Sequence, residues 1–292
     1  MKIIRSPHAM TTWSDQLRRQ GVTIAFVPTM GALHDGHRSL IHAARLQCDA
    51  LVVSIFVNPT QFAPTEDLAT YPKPIANDRT LCRAEGVDVC FEPNAAEMYP
   101  DGFQTRVTVP GIAKRWEGEC RPHHFDGVAT VVTKLFGMVR PHLALFGQKD
   151  FQQAALVRQV AKDLNLGVAI QVRPTVRERD GLAMSSRNVY LSAENRLVAP
   201  VFYQALQAGR QAIERGVRDG KSVQEIMREV LAKESAVHID YLAVCDPSTL
   251  EPLTSIKRQA VLLGAIRIGS VRLIDNVLVR LKGQKGRRRP SP

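Results

Sequence analysis

Nearly continuous apolar runs, separated by helix-like segments, set the strongest limit on how this chain can fold. Runs of this kind lie at residues 22–27, 50–57, 87–93, 142–147 and 168–172. They show little polar alternation, which is typical of strands that are covered on both faces. The segments between them carry apolar residues at helical spacing. This alternation predicts an α/β fold, with a parallel sheet and right-handed crossovers.

The pattern changes after residue 176. Two helix-like segments, 192–216 and 222–235, are followed by stretches that alternate like the strands of a small sheet. A chain of 292 residues has room for two domains of roughly 100–200 residues. We therefore predict a nucleotide-binding domain at 1–176, a smaller α+β domain at 177–282 and a disordered basic tail at 283–292.

Composition indicates a cytoplasmic protein. No stretch approaches the ~20 apolar residues of a membrane span, and the N-terminus lacks the apolar core of a signal peptide. The five cysteines are odd in number and form no C-x-x-C pair, which favours reduced, buried thiols. We expect neither a membrane partner nor a disulfide framework.

The positive charge is concentrated at one end of the chain. The formal net charge is +11, and six cations without an acid follow residue 279, so the remainder carries +11 − 6 = +5. A nucleic-acid partner would depend mostly on this Gly/Arg tail, which is more typical of a solvated end. The mildly basic body suits an anionic small substrate.

The segment "PTMGALHDGH" follows the first predicted strand and precedes a helix. Such turns offer unpaired backbone N–H groups and a positive helix end, which attract phosphate. Gly31 and Gly36 let the backbone approach a ligand, while His34 and His37 can donate to phosphate oxygens. The alternatives are a pair of surface histidines or a metal site, for which the sequence shows no clear further ligand.

Three more polar segments follow predicted strands or precede helices. "VSIFVNPTQF" places the amides of Asn58 and Gln61 in the next loop, although Asn-Pro is equally a turn signal. "FGQKDFQQ" offers Lys149 to phosphates and Asp150 to a ribose hydroxyl or a metal, yet a lysine at a strand end is usually only solvated. "AMSSRN" offers two serines and Arg187 as a triphosphate clamp, or a simple polar turn.

A further cluster, "CRPHHF", could bind substrate through His124. It could also form a metal site with Cys120 and His123, although the second ligand pair that such sites need is missing. Neither a G-x-x-x-x-G-K-[ST] loop nor a G-x-G-x-x-G fingerprint occurs. Any ATP must therefore be held by the H-x-G-H segment, close to the carboxyl ends of the strands.

Together, "VPTMGALHDGH", "VSIFVNPTQF", "FGQKDFQQ", "GLAMSSRNVYLS" and "RLIDN" resemble, in order and spacing, the motifs of the pantothenate synthetase (pantoate–β-alanine ligase) family. The resemblance runs from residue 22 to about residue 279. It implies condensation of (R)-pantoate with β-alanine through a pantoyl adenylate. The implied reaction consumes ATP, requires Mg²⁺ and releases AMP and pyrophosphate. It also implies a cytoplasmic homodimer, with a Rossmann-like N-terminal domain of the H-x-G-H nucleotidyltransferase type and a smaller C-terminal lid.

The resemblance also implies roles for individual residues. His37 is at the family's proton-donor position, His34 stabilises phosphates and Lys149 contacts them. Gln61 and Gln153 bind pantoate, and Gln61 also lies near β-alanine. The ATP-binding positions are Met30, Gly31, Ala32, Leu33, His34, Asp35, Gly36, His37, Gly147, Gln148, Lys149, Asp150, Val176, Met184, Ser185, Ser186 and Arg187.

The sequence departs from the family pattern at three positions. Gln148 replaces a usual glutamate beside Lys149, and Asn77 replaces an acid that many members carry before Asp78. His123 occupies a variable position, so no role is assigned to it. The metal ligands therefore stay unknown at this point.

Two other functions fit parts of the sequence. A nucleotidyltransferase or a fragment of an aminoacyl-tRNA synthetase also pairs an H-x-G-H segment with a second phosphate loop, but the remaining ~100 residues are few for a tRNA-reading domain. A nucleic-acid-binding protein could use the basic tail, and its binding would be strongly salt-dependent. That second reading leaves the phosphate motifs of the body unexplained.

Overall fold

The computed structural model describes residues 1–64 and 66–281. Within them the chain divides into two compact units, the first spanning Met1–Leu191 and the second beginning at Ser192. The basic tail expected at 283–292 lies outside the described residues. Among the residues described, no helix is long and apolar enough to cross a membrane.

The first unit is a parallel sheet with helices around it. Its strands are β1 (Lys2–Ile4), β2 (Ile24–Thr29), β3 (Ala50–Ile55), β4 (Val89–Phe91), β5 (Leu143–Gly147) and β6 (Ala169–Arg173). Its helices are α1 (Pro7–Arg19), α2 (Asp35–Arg45), α3 (Ile75–Ala84), α4 (Ala95–Met98), α5 (Pro110–Ala113), α6 (Glu117–Cys120), α7 (His124–Val139) and α8 (Phe151–Asp163). The apolar runs found in the sequence thus overlap β2 to β6, and the three-residue β1 is too short to show a periodicity.

Both faces of this sheet are covered, as the continuous apolar runs predicted. Along β2, Ile24 and Phe26 join the core formed with α1, α7 and α8. Their neighbours Ala25 and Val27 join the opposite core, formed with α2 and α3. All of these β2 side chains are fully buried, because consecutive residues of a strand point to opposite faces of the sheet.

The strand order creates a crevice between β2 and β5. In the described part of the first unit the order is β1-β4-β3-β2-β5-β6, and every pairing is parallel. The chain moves from β2 to β3 in one direction, whereas β5 and β6 lie on the other side of β2. In such sheets the connections leave a crevice at the carboxyl ends of the two central strands, and ligands bind there.

The second unit is an antiparallel sheet with two long helices. It contains α9 (Ala193–Val198), α10 (Val201–Glu214), α11 (Gly220–Leu231), β7 (Val237–Cys245), β8 (Gln259–Ile268) and β9 (Val271–Arg280). Within the described residues β8 lies between β7 and β9. Phe202 and Leu206 of α10, and Met227 of α11, are buried. The unit therefore has the smaller α+β architecture that the sequence predicted.

The division between the units falls after Leu191, whereas the sequence placed a boundary at residue 176. The segment between these positions folds with the first unit. Arg177 and Ala183 form an antiparallel bridge within the segment, and the Tyr190 hydroxyl links it to the first unit by donating to the Thr70 carbonyl at 2.9 Å. The predicted phosphate loop is thus held by the first unit, which no local pattern in the sequence indicates.

Candidate active site

A cleft of about 210 Å³ opens at the carboxyl ends of β2 and β5, where the strand order predicts a ligand site. Segments far apart in the sequence meet there. The predicted site residues that line the cleft are Met30, His34, Gly36, His37, Gln61, Gly147, Lys149, Asp150, Gln153, Val176, Met184, Ser185, Ser186 and Arg187. The remaining predicted positions, which are Gly31, Ala32, Leu33, Asp35 and Gln148, do not line it.

The two histidines hold the start of α2. His34 is the residue that caps the helix, and its Nδ1 accepts a hydrogen bond from the Gly36 N–H at 3.1 Å. His37, three residues later, accepts from the His34 N–H through its own Nδ1 at 3.4 Å. The imidazole rings lie with their centroids 4.2 Å apart. Because each Nδ1 accepts, each neutral ring carries its proton on Nε2, the nitrogen left to donate to a ligand.

Burial keeps both imidazoles uncharged. Desolvation, and then the positive charge of Lys149, lowers the pKa of His34 to about 4. Desolvation is also the main cause for His37, followed by His34 and Lys149, and its pKa is lowered to about 3. At neutral pH the pair therefore consists of two neutral hydrogen-bond donors at the positive end of a helix.

A glycine is required where α2 begins. A Cβ placed at Gly36 would lie 2.8 Å from Cε1 and 2.9 Å from Nδ1 of the His34 ring. A side chain here would displace the imidazole from its capping position. The glycine of the H-x-G-H segment, which the sequence analysis assigned to ligand approach, thus also makes room for a histidine.

The opposite side of the cleft carries charge. Lys149 lies in a 3₁₀ turn, Gln148–Asp150, between β5 and α8. Its Nζ is 3.9 Å from Oδ1 of Asp150, a separation at the limit of an ion pair. A lysine at a strand end, adjacent to a histidine pair that is kept neutral, can contribute a positive charge to a bound phosphate.

Arg187 is held by an acid that the sequence analysis did not identify. Its Nε and Nη2 donate to the two carboxylate oxygens of Asp67, both at 2.8 Å. The guanidinium also lies over the Tyr71 ring, 5.5 Å from its centroid, and the Tyr71 and Ser186 hydroxyls are 3.2 Å apart. The segment 67–71 therefore shapes the predicted phosphate loop from outside it.

Gln61 is oriented by a buried amide. Asn58, which is 1% exposed, donates from Nδ2 to Oε1 of Gln61 at 3.1 Å. Oδ1 of Asn58 accepts from the Tyr99 hydroxyl at 2.7 Å. These bonds determine which atom of the Gln61 amide is the oxygen. Its NH₂ group is therefore directed at the cleft, 3.1 Å from the Met30 sulfur. Such an amide can donate to a carboxylate or a hydroxyl without adding charge.

His124 supports the site rather than lining it. It is buried, and its Nδ1 donates to the Gln61 carbonyl at 2.9 Å while Nε2 accepts from Arg121 at 3.2 Å. Burial, and then Arg121, lowers its pKa to about 4. Both ring nitrogens of His124 thus bond to the protein, so direct substrate binding, one interpretation of the "CRPHHF" segment, is not its role in this arrangement.

The metal site that this segment offered as an alternative does not form among the described residues. In residues 1–64 and 66–281, no group of three or more His, Cys, Asp or Glu side chains is arranged to hold a metal ion. His123 precedes α7 in a left-handed conformation, with φ of 67°, and Cys120 is exposed. The sequence alternative of a cysteine–histidine site is therefore wrong for the described residues.

The residues to which the sequence analysis gave no role are two acids and two aromatics that lie in or behind the cleft. Asp67, Tyr71, Asp78 and Tyr99 each contact a predicted segment through side-chain bonds over long sequence separations. Tyr71 lines the cleft. The pattern "EDLATYP" between β3 and α3 could have drawn attention to Asp67 and Tyr71, but nothing local shows which loop they would reach.

Known proteins resemble this chain over nearly its whole length. A family model described as pantoate–beta-alanine ligase matches residues 2–278. A pantothenate synthetase from Syntrophotalea carbinolica is 53% identical over 261 residues, which are 89% of this chain and 92% of the relative. The crystal structure of pantothenate synthetase from Thermus thermophilus has 45% sequence identity and a TM-score of 0.90, with 95% of this chain and 99% of that chain covered.

A second solved structure carries ligands. It is a pantoate–beta-alanine ligase from Francisella tularensis, complexed with beta-gamma ATP and beta-alanine, with 35% identity and a TM-score of 0.79 over 95% of this chain and 97% of that one. These likenesses, with the six-stranded parallel and three-stranded antiparallel sheets of the described residues, confirm the predicted fold class and ligase assignment. The chain belongs to the pantoate–beta-alanine ligase family.

Proposed function

We propose that the cleft joins (R)-pantoate to β-alanine in two steps, with ATP as the source of the leaving group. A carboxylate is a poor electrophile because its oxygen leaves poorly. In the first step a pantoate carboxylate oxygen bonds to the α-phosphorus of ATP, and the bond to pyrophosphate breaks. The mixed anhydride, pantoyl adenylate, remains in the site. No nucleophile from the protein is needed.

His34, His37 and Lys149 act in this first step. The two neutral imidazoles donate from Nε2 to phosphate oxygens, and Lys149 adds a positive charge as the negative charge moves onto pyrophosphate. Because the histidines are already fixed by their own capping bonds, they require little reorganisation when the charge develops. Donation from His37 without full proton transfer agrees with its lowered pKa of about 3.

The nucleotide lies, in this proposal, along the β2–α2 and β5–α8 connections and under the 184–187 loop. Pantoate is held by the amides of Gln61 and Gln153, which lie on the same cleft. In the second step the unprotonated β-alanine nitrogen attacks the pantoyl carbonyl near Gln61. The carbon–oxygen bond to AMP then breaks, and the nitrogen loses a proton as the amide forms.

Mg²⁺ belongs to the proposal as the ion that accompanies the triphosphate. The ion usually binds through one or two carboxylates plus substrate phosphates and water. The residues fit this mode, because Asp150 offers a half-exposed carboxylate at the cleft. When bound, the ion would neutralise phosphate charge. We assign it no ligand beyond Asp150.

The assembly and location are proposed by family likeness. We propose a homodimer that works in the cytoplasm, in which the second unit serves as a lid that shields the adenylate from water. We keep the domain limits at 1–176 and 177–282, with residues 177–191 packed on the first unit in this structure.

One observation carries the proposal: four separate segments converge at the β2/β5 edge on a neutral histidine pair that faces Lys149. The test is product analysis, with each substrate omitted in turn. The complete mixture should yield AMP and pyrophosphate in step with pantothenate, and pantoate with ATP alone should yield bound adenylate. Release of ADP and inorganic phosphate would show a phosphoryl-transfer mechanism and contradict the proposal.

A further inference from the structure

The loop between β2 and α2 adopts a conformation that needs outside support. Gly31 has φ of 85° and the following Ala32 has φ of 50°. The left-handed region is costly for a residue with a side chain, so Ala32 does not adopt it without compensation. The two residues turn the chain from the strand toward the histidines at the start of α2.

One side chain satisfies the backbone of this turn. The Ala32 N–H donates to Oδ2 of Asp78 at 2.9 Å, and the Leu33 N–H donates to Oδ1 at 2.8 Å. Asp78 belongs to α3, 46 residues along the chain, and is only 2% exposed. Two consecutive N–H groups thus bind the two oxygens of one buried carboxylate, an arrangement that fixes both the position and the direction of the loop.

The loop backbone packs directly against this carboxylate. A Cβ at Gly31 would lie 3.0 Å from Oδ2 of Asp78 and 3.0 Å from Cγ2 of Ile55. Thr29 holds the preceding peptide, because its hydroxyl accepts from the Gly31 N–H at 3.1 Å and donates to the Ser54 carbonyl at 2.7 Å. The turn is therefore bonded at three successive amides.

The chemistry of these bonds favours an ionised acid. An asparagine has only one oxygen, so one of the two N–H groups would face an NH₂ group instead of an acceptor. The pKa of Asp78 is raised above its usual value, mainly by burial and least by the nearby Glu92, and the Leu33 and Ala32 N–H groups limit that rise. The backbone donors thus stabilise a carboxylate that its surroundings disfavour.

We propose that Asp78 is a positioning residue for nucleotide binding, which acts by holding the Gly31–Leu33 backbone so that Met30, His34 and His37 face the cleft. This inference rests on the proposed function, because it takes that cleft to be the ATP site. The positioning role of Asp78 requires no metal ion. The residue before Asp78 is Asn77 rather than a second acid.

The test replaces Asp78→Asn and measures the affinity for a non-hydrolysable ATP analogue by calorimetry, beside the KM values for ATP and pantoate. Leaving one buried N–H without an acceptor should weaken nucleotide binding about 10- to 100-fold, and the KM for pantoate should rise far less. A matched control is Glu85→Gln. Glu85 follows α3 and bonds to Arg38 of α2, at 2.6 Å, without touching the loop, so its variant should bind the nucleotide as the wild type does.

A Gly31→Ala variant keeps the proposal testable if Asp78→Asn does not fold, because the added Cβ presses on the same carboxylate from the loop side. It should also weaken nucleotide binding selectively. Wild-type nucleotide affinity in Asp78→Asn, or an equal loss of nucleotide and pantoate binding in both variants, would overturn the positioning role. Failure of the wild type to form AMP would instead contradict the proposed function, while the calorimetric comparison would still test the role of Asp78.

Discussion

The polar groups on the two sides of the cleft are held in place by different interactions. On the α2 side, His34 and His37 are uncharged and are held by backbone hydrogen bonds within one helical turn. On the other side, Arg187 is charged and held by a side-chain ion pair with Asp67. In the proposed mechanism the first side is preorganised before the nucleotide binds, whereas on the second side Arg187 must leave the Asp67 carboxylate before it can bind a phosphate. Rigid donors favour the transition state, and exchangeable cations favour capture of the anion.

The largest expected effect comes from removing one group from each side. His37→Ala and Lys149→Ala should each lower the adenylation rate about 10²- to 10³-fold, the usual loss for one preorganised transition-state donor. If the comparison holds, His37→Ala changes mainly kcat, whereas Lys149→Ala also raises the KM for ATP. The rate of pyrophosphate formation, measured at several ATP concentrations, gives both kcat and the KM for ATP. Near-normal rates in either variant would remove that residue from the catalytic set, provided that circular dichroism shows native folding.

The second largest effect is expected in the stability of the protein at acid pH, which depends on the neutral histidines of the α2 side. The pKa values of His34 and His37 in the folded protein lie below the ordinary value of 6.5, at about 4 and about 3. The unfolded chain therefore binds more protons below pH 6.5, so the free energy of unfolding falls as the pH drops from 6.5 toward 4. Each such histidine contributes up to about 1.4 kcal/mol per pH unit.

The measurement is denaturant unfolding at several pH values. His37→Gln should reduce the slope of unfolding free energy against pH between 6.5 and 4, and Lys149→Met should keep most of it. An unchanged slope in His37→Gln would mean that the imidazole is not buried in its neutral form.

A smaller effect, a gain in ATP affinity, is expected from a substitution on the charged side. Asp67→Asn removes the anionic partner of Arg187, so the guanidinium no longer has to leave a carboxylate before it meets a phosphate. Since partly exposed ion pairs are worth at most about 1 kcal/mol, the Kd for ATP should fall about two- to fivefold. Equilibrium binding titrations at low and moderate salt would measure it. Weaker ATP binding in this variant would show that Asp67 positions Arg187 instead of competing for it.

The smallest effect is expected from the basic residues at the end of the chain, which match none of the family motifs. Removing residues 283–292 should leave turnover within about twofold, because terminal segments that match no functional motif usually tolerate truncation. The comparison is steady-state pantothenate formation by the full chain and the truncated chain at equal concentration. A large loss would show that these basic residues contribute to substrate capture or to assembly.

The sequence predicted the cleft better than the bonds that hold it. The continuous apolar runs implied a parallel sheet, and motifs at successive strand ends had to meet at one edge, so His37, Lys149 and Gln61 were found together. Asp67 and Asp78 were not, because they bond to partners 120 and 46 residues away, and no periodicity encodes such pairs. The packing of residues 177–191 on the first unit could not be predicted for the same reason, since long-range bonds to Asp67, Thr70 and Tyr71 decide where that segment packs.

Because His34 caps its own helix, the amide of Gly36 reports on the imidazole. Its N–H donates to Nδ1 of that ring, so a proton added at Nδ1 would remove the acceptor and leave the amide to exchange with solvent. A nuclear magnetic resonance titration of this one amide would therefore follow the ring's protonation directly. The same signal should shift when a triphosphate accepts a hydrogen bond from Nε2 of His34. One backbone resonance would therefore report both the protonation of the ring and the binding of a ligand.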